Sequence, residues 1–202
     1  MRIEEIIEAV QQVLGIDIDG KAGPQTWNAI YERLVEKKIN AQNPSDSISP
    51  VDSRSEKVIA TLLPQVQPIA RALVQKASLA GVTIKIISGL RTYAEQDALY
   101  DQGRTTPGSV VTNARGGYSN HNFGIAFDVG VFEGAKYLPD SPKYKAVGAL
   151  GVDLGLDWGG NWKTIVDQPH FQLRPTWAAD ITEKQMLAEL RSRLGDGRAV
   201  YA

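Results

Sequence analysis

The chain has 202 residues, enough for one good-sized core with a small module appended. Hydrophobic residues make up 43% and charged residues 22%, an ordinary soluble balance, and the net charge of -1 offers no argument for nucleic acid or an anionic membrane as partner. With no cysteine, disulfides, thiolate metal ligands and a cysteine nucleophile are excluded, and with two histidines any zinc chemistry must use both or recruit carboxylates.

The N-terminus, Met1-Arg2-Ile3-Glu4-Glu5, is acidic and amphipathic and holds no apolar run of signal-peptide type. Nothing further on is long enough to span a bilayer, so the expectation is a soluble chain made in the cytoplasm, without membrane insertion. Ile3, Ile6, Ile7, Val10, Val13 and Leu14 have helical spacing with one apolar face, and Gly15 stops that helix. A turn-rich loop follows, then a second helix with Pro24 in its first turn and Trp27, Ile30, Tyr31, Leu34 and Val35 on one stripe. From Asn40 to Glu56, Ser, Asn, Asp and Pro dominate, the composition of a linker.

Beyond it, a helical stretch is predicted from Ser55 to Ala80, bent near Pro64 and Pro68. Val82 to Ile87 reads as a β-branched strand, and Thr92-Tyr93-Ala94-Glu95 as a capping box opening a helix that ends at Gly103. A Gly- and Thr-rich loop leads to a strand over Ile125 to Phe132. A helix over Ser141 to Leu154, a short strand over His170 to Leu173 and a closing helix over Thr182 to Leu194 complete the chain. Few strands, unevenly separated, favour an α+β fold with a small antiparallel sheet flanked by helices, plus the small N-terminal helical module. The division expected is a helical module over 1–40, a linker over 41–56 and the main domain over 57–202.

The chemistry concentrates in two stretches. In Ser119-Asn120-His121-Asn122-Phe123-Gly124-Ile125-Ala126-Phe127-Asp128-Val129-Gly130, the odd positions from Ile125 form an apolar face. Asp128 lies on the other face between Ala126 and Gly130, which predicts open space in front of its carboxylate. The second stretch is Asp167-Gln168-Pro169-His170-Phe171-Gln172-Leu173, with His170 and Gln172 on one face and Phe171 and Leu173 on the other. Two histidines and a carboxylate are a common ligand set for catalytic zinc. On spacing alone, hydrogen-bonded half-buried histidines and a turn-forming Asp167 would look the same.

Two resemblances narrow this. Val10 to Gly15, Asp19-Gly20, Gly23-Pro24-Gln25-Thr26 and Ala29-Ile30 together resemble the small peptidoglycan-binding module of many wall hydrolases, although a helical hairpin that only packs on its neighbour would carry the same residues. Ser119-x-His121-x-x-Gly124-x-Ala126-x-Asp128, with Asp167-x-Pro169-His170-Phe171 downstream, resembles the LAS metallopeptidases. These include D-alanyl-D-alanine carboxypeptidases and dipeptidases and phage L-alanyl-D-glutamate endopeptidases. Ser88-Gly89-Leu90-Arg91-Thr92, Glu95-Gln96, Leu99-Tyr100 and Gly103-Arg104 are most similar to the endopeptidase branch, with Leu90 where an aromatic residue is common.

The LAS resemblance implies Zn2+ held by His121, Asp128 and His170, with Asp167 as the acid/base that takes the proton of the attacking water. It implies Arg91 as a second electrophile for the developing negative charge. Ser119, Gln96 and Trp158 are candidates for substrate binding, and Arg104 and Arg115 for carboxylates of the stem peptide. Trp158 and Trp162 serve equally as cleft wall or as core. The function implied is cleavage of the L-alanyl-D-glutamate bond of bacterial peptidoglycan by a monomer, as in a phage or prophage endolysin released by a holin or by lysis. The alternatives are a D-alanyl-D-alanine carboxypeptidase or dipeptidase and a non-catalytic wall-binding protein. A glycosidase needs two facing carboxylates, and nothing singles out such a pair.

Overall fold

The computed structural model describes residues 2–31 and 51–201, which fall in two compact units, Met1–Ile48 and Ser49–Ala202. Leu34, Val35 and linker positions 41–50 lie outside the described residues. In the first unit, helix α1 (Ile3–Leu14) is closed by Gly15 at φ 70°, a left-handed conformation that glycine adopts without steric cost. Helix α2 (Pro24–Tyr31) follows. The loop between them is organised by the buried amide of Gln11. Its Nε2 donates to Asp19 Oδ1, the Lys21 carbonyl and Thr26 Oγ1, and its Oε1 accepts from the backbone N–H groups of Asp19 and Gly20. The Asp-Gly and Gly-Pro-x-Thr elements are therefore partners of one glutamine.

The second unit opens with α3 (Ser53–Ile59), which begins inside the stretch expected as linker and runs past its end at 56. The reason is chemical: Asp52 caps the helix by accepting from Ser55 N–H, and buried Ser55 Oγ in turn accepts from Ile86 N–H. Ser and Asp here are caps and sheet contacts. Helix α4 (Gln67–Leu79) is separate from α3, with Pro64 in the turn between them. The remaining helices are α5 (Tyr93–Asp101), α6 (Tyr144–Asp153) and α7 (Glu183–Gly195). Thr92 and Glu95 form the predicted capping box of α5. Among the described residues no helix is long and apolar enough to cross a membrane.

Five strands form one sheet, all paired antiparallel: β1 (Thr83–Ser88), β2 (Ala126–Glu133), β3 (Lys136–Tyr137), β4 (Asp157–Trp158) and β5 (His170–Gln172). Their order is β1-β2-β5-β4, with β3 also on β2. The α+β expectation holds. Phe127, Val129 and Val131 enter a core with Ile59, Leu73, Ile84, Ile86, Tyr144 and Phe171, while Phe123 and Ile125 join Met186 and Leu190 of α7 in a second cluster. Burying such side chains contributes about 1.5–3 kcal/mol each, so the sheet is anchored from both clusters. The opposite edge of that alternation carries Asp128. Ser88 pairs with Asp128 across β1 and β2, and Asp128 with His170 across β2 and β5, so the register sets three polar residues in one row. Gly130 leaves no open space: a Cβ there would come within 2.8 Å of the Phe132 ring and 3.0 Å of the Tyr137 ring.

Candidate metal centre

His121 lies in a short 3-10 turn, Asn120–Phe123, immediately before β2. Its Nδ1 is 2.8 Å from the Gly89 carbonyl, which can only accept, so the proton sits on Nδ1 and the Nε2 lone pair faces the centre, where Arg91 Nη2 approaches it at 3.5 Å. Nε2 lies 3.3 Å from Asp128 Oδ1. On the other side, His170 Nδ1 is also 3.3 Å from Asp128 Oδ1, and its Nε2 is 3.0 Å from Gln172 Oε1. The donor atoms of His121, Asp128 and His170 all fall within 4.8 Å of one another. A tetrahedral zinc site with bonds of about 2.0–2.1 Å has ligand-to-ligand edges of about 3.3 Å. The three side chains fit such an ion and can hold it, both histidines presenting lone pairs to a common point.

The electrostatics agree. Burial pushes Asp128 up, but the charge and hydrogen bond of His121 and those of His170 reverse this and hold it well below the usual carboxylate range. For His170 burial disfavours the charged form, yet the hydrogen bond and charge of Asp128 win and raise it. Such a cluster competes for protons and for a cation at the same lone pairs. Asp167 is different. Burial first, and the Asp128 charge second, raise its carboxyl above the ordinary value, only partly offset by His170, His121 and Arg91. A carboxyl poised in this way beside a candidate metal site suits a group that takes and returns a proton.

Asp167 is placed by a close approach. Its N–H donates to the Gly159 carbonyl at 3.0 Å, its own carbonyl accepts from His170 N–H at 3.2 Å, and a Cβ on Gly159 would sit 2.4 Å from that carbonyl oxygen. Any larger residue at 159 would push the Asp167–His170 turn away from the centre. Beneath it, Trp158 stacks on Phe171, donates from Nε1 to the Gln168 carbonyl and presses against Gly148 and Gly160. Trp158, expected as a substrate contact, is therefore a support under the turn and does not line the cleft. Trp162 is the tryptophan that does, with its ring 4.9 Å from that of His170.

Arg91 follows β1 and reaches back over the sheet. Nη2 donates to Asp128 Oδ2 and to Ser88 Oγ, each at 2.8 Å, and Nη1 to Gln96 Oε1 at 3.2 Å. It lines the cleft as expected, but its strongest bond orients a ligand carboxylate, a task the sequence did not suggest. Gln96 is fully buried and holds Arg91 and, through Nε2, the Ala114 carbonyl, so it supports the site from behind and is not open to substrate. Ser119 lines the cleft. Arg104 and Arg115 do not: both guanidinium groups lie over the Tyr100 ring, and Arg104 also bonds the Tyr100 and Thr112 carbonyls and Asn113 Oδ1. They brace the loop that was expected to use them for carboxylates.

The cleft in front of the centre has a volume of about 1030 Å³. Val110, Val111 and Tyr118 line it from one loop and Trp162, Lys163 and Ile165 from another, together with Arg91, Asp167, His121, Asp128 and His170. Asn122 joins two loops there: Nδ2 donates to the Arg91 and Thr92 carbonyls, and Oδ1 accepts from Gly117 and Ser119 N–H. Asn120, Asn122 and Gln172 were not singled out by the sequence reading. The available signal was two amides flanking His121 and a third two residues after His170, on the same strand face.

A small antiparallel sheet presenting two histidines, an aspartate and a raised carboxyl to an open cleft defines a metallopeptidase-type hydrolase. Residues 112–173 match the peptidase M15 family described as D-alanyl-D-alanine carboxypeptidase. The peptidoglycan L-alanyl-D-glutamate endopeptidase CwlK of Bacillus subtilis is 37% identical over 128 residues, 58% of this chain and 77% of the relative. The chain belongs to the M15 peptidases. Among solved structures, the L-Ala D-Glu endopeptidase ChiX of Serratia marcescens is 25% identical, covering 61% of this chain and 88% of that one, with a TM-score of 0.48.

Proposed function

We propose that this chain is a zinc-dependent peptidoglycan hydrolase that cleaves the L-alanyl-D-glutamate bond of cell-wall stem peptides. The observation that carries the reading is the convergence of His121 Nε2, Asp128 and His170 Nδ1 at the floor of an open cleft beside Asp167. The choice of bond is supported by the activity named for CwlK. Zinc bound there would supply Lewis-acid polarisation of the scissile carbonyl and acidify the attacking water. Asp167 takes the proton of that water and returns it to the leaving amine. Arg91 holds the Asp128 carboxylate in its ligating orientation and adds positive charge at the floor where the carbonyl oxygen gains negative charge. The exposed apolar rims grip the peptide on either side of the cut, and Ser119 is a hydrogen-bonding group within reach of it.

The first unit serves as a wall-binding module in this reading, joined to the peptidase domain by the linker. The pairing of these two activities is that of a phage or prophage endolysin acting as a monomer. Mass spectrometry of purified peptidoglycan digested with the full chain tests the bond. New L-alanine carboxyl ends and D-glutamate amino ends are expected. A second reading, suggested by the description of the matching family, is D-alanyl-D-alanine carboxypeptidase; free D-alanine without those new ends would establish it instead.

A further inference from the structure

The two ligand histidines are oriented by different means. His121 faces a backbone carbonyl, which has one polarity. His170 faces a side-chain amide, whose oxygen and nitrogen could exchange places by a half-turn. If Gln172 presented its NH2 group, His170 Nε2 would have to accept, the ring proton would move to Nδ1, and the atom facing Asp128 would lose its lone pair. Something must therefore hold the Gln172 amide in one sense.

The surrounding bonds do this. Gln172 Oε1 accepts from Asn120 Nδ2 at 2.5 Å, and the same Nδ2 donates its other proton to Glu183 Oε1. Glu183 Oε2 accepts from Arg174 Nη1 at 2.9 Å, while the Nε and Nη2 of Arg174 are taken by the Ala178 and Ile181 carbonyls. At the far end, Gln172 Nε2 faces Asp157 Oδ2 at 3.5 Å. Ionised carboxylates only accept, so both ends of the row demand donors. Glu183 requires the NH2 of Asn120, which requires the oxygen of Gln172, which requires a proton on His170 Nε2. A second observation points the same way. Asn120 Oδ1 is buried with no hydrogen-bond partner, the one such side-chain atom among the described residues. Turning the amide over would free the NH2 for other partners but set Oδ1 against the Glu183 carboxylate and the Gln172 carbonyl. The amide keeps the orientation that leaves its oxygen unpaired.

We propose that Gln172, Asn120 and Glu183 are positioning residues that transmit the polarity of the Glu183–Arg174 ion pair to His170, fixing it as the Nε2–H tautomer whose Nδ1 binds metal. The inference rests on the metal-centre reading above and adds residues that make no contact with the ion. Its first consequence is a long-range effect: a change at Glu183, whose side chain is 44% exposed, reaches the metal through two amides.

The test uses the full chain, stripped with a chelator and titrated with Zn2+ against a chromophoric competitor. Gln172→Leu removes the acceptor and is expected to raise the zinc Kd about 10–100-fold, the usual range for losing an outer-shell partner of a ligand histidine. Gln172→Glu, made together with Asp157→Asn so that the far end does not oppose two carboxylates, keeps an acceptor at His170 and should bind within a few-fold of the parent. Glu183→Lys replaces the acceptor at the end of the row by a donor and should weaken zinc several-fold, while the metal-free protein still unfolds in one cooperative transition, at a lower temperature because the ion pair with Arg174 is lost. This exposed variant carries the test if Gln172→Leu does not fold. Histidine 15N spectra of the zinc-loaded parent, simple in a chain with two histidines, should show His170 protonated on Nε2. Parent-like zinc affinity in either weakened variant, equal loss in the Gln172→Glu double variant and Gln172→Leu, or a His170 proton on Nδ1 overturns the relay. A parent that binds no zinc, like His170→Ala, would instead overturn the metal-centre reading itself.

Discussion

On the floor of the cleft, His121 and His170 are buried and Asp128 is half-buried, and they are aimed by the Gly89 carbonyl, the Gln172 amide and the Arg91 guanidinium. Along the rims, Val110, Val111, Tyr118, Trp162 and Ile165 stand in solvent on loops without regular secondary structure. On the floor, Asp128 and His170 are set by the register of paired strands and His121 by the turn that leads into β2, whereas the rims are loops. Chemistry that tolerates displacements of a few tenths of an ångström needs the first kind of support. Recognition of an extended peptide needs apolar surface that can adjust. The contrast implies that substitutions on the floor alter turnover and metal content, whereas substitutions on the rims alter binding.

The largest effect is expected from His121→Ala or His170→Ala. Each removes one of three ligands from a pre-arranged set, and elemental analysis should find the bound zinc gone together with measurable hydrolysis. Stoichiometric zinc in either variant would break the comparison at its root.

Next comes Asp167→Asn, which preserves the turn but cannot carry the proton. Turnover should fall roughly 10²–10⁴-fold with zinc retained, the range for loss of a general base. The parent should also lose activity as the pH falls through the Asp167 value, because the base must be ionised. Since burial and Asp128 raise that value, the acid limb belongs above the range of a free aspartate. An acid limb at the ordinary aspartate position, or parent-like turnover in the variant, would reduce Asp167 to a turn residue.

On the rims, the paired change Val110→Ser and Val111→Ser should raise KM several-fold for a soluble muropeptide and leave kcat near the parent value, since each valine withdraws about 1–2 kcal/mol of apolar contact at most. A matching fall in kcat would mean that the rim helps order the floor, and the two regions would no longer be separable.

The smallest effect lies far from both. Glu56 receives Arg71 through Nε and Nη2 at 2.8–3.1 Å and also the Val51 N–H, joining the start of α3 to α4. Arg71 is the chief cause that lowers its carboxyl below the ordinary 4.5, against the opposing effect of burial. A lowered folded-state value gives stability that is present above the unfolded value and lost as pH falls through the folded one. Glu56→Gln should cost about 1 kcal/mol at neutral pH. That loss should vanish in acid, where calorimetry of the two proteins should converge, and kcat should not change.

Much of this molecule follows from local rules that need only near neighbours. The period of Ile125, Phe127, Val129 and Val131 identifies a core face, Thr92 and Glu95 cap a helix through atoms three residues apart, and Gly15 ends one by a single torsion. The candidate ligand cluster was legible for a related reason: two histidines and an aspartate in short motifs of distinctive spacing, which the fold brings within 4.8 Å of one another. What the sequence left open were choices between equivalent partners. Asp52 and Ser55 suit a linker as well as a helix cap, Arg104 and Arg115 suit a substrate carboxylate as well as the Tyr100 ring, and Trp158 and Trp162 are the same residue type in one short loop. Gln96 and Gln172 look like surface amides until they are buried. Each of these was decided by tertiary packing, of which strand register is the clearest case, since it sets Ser88, Asp128 and His170 side by side although they lie far apart in the chain. A side chain's hydrogen-bond partner depends on that juxtaposition, and only the assembled sheet provides it.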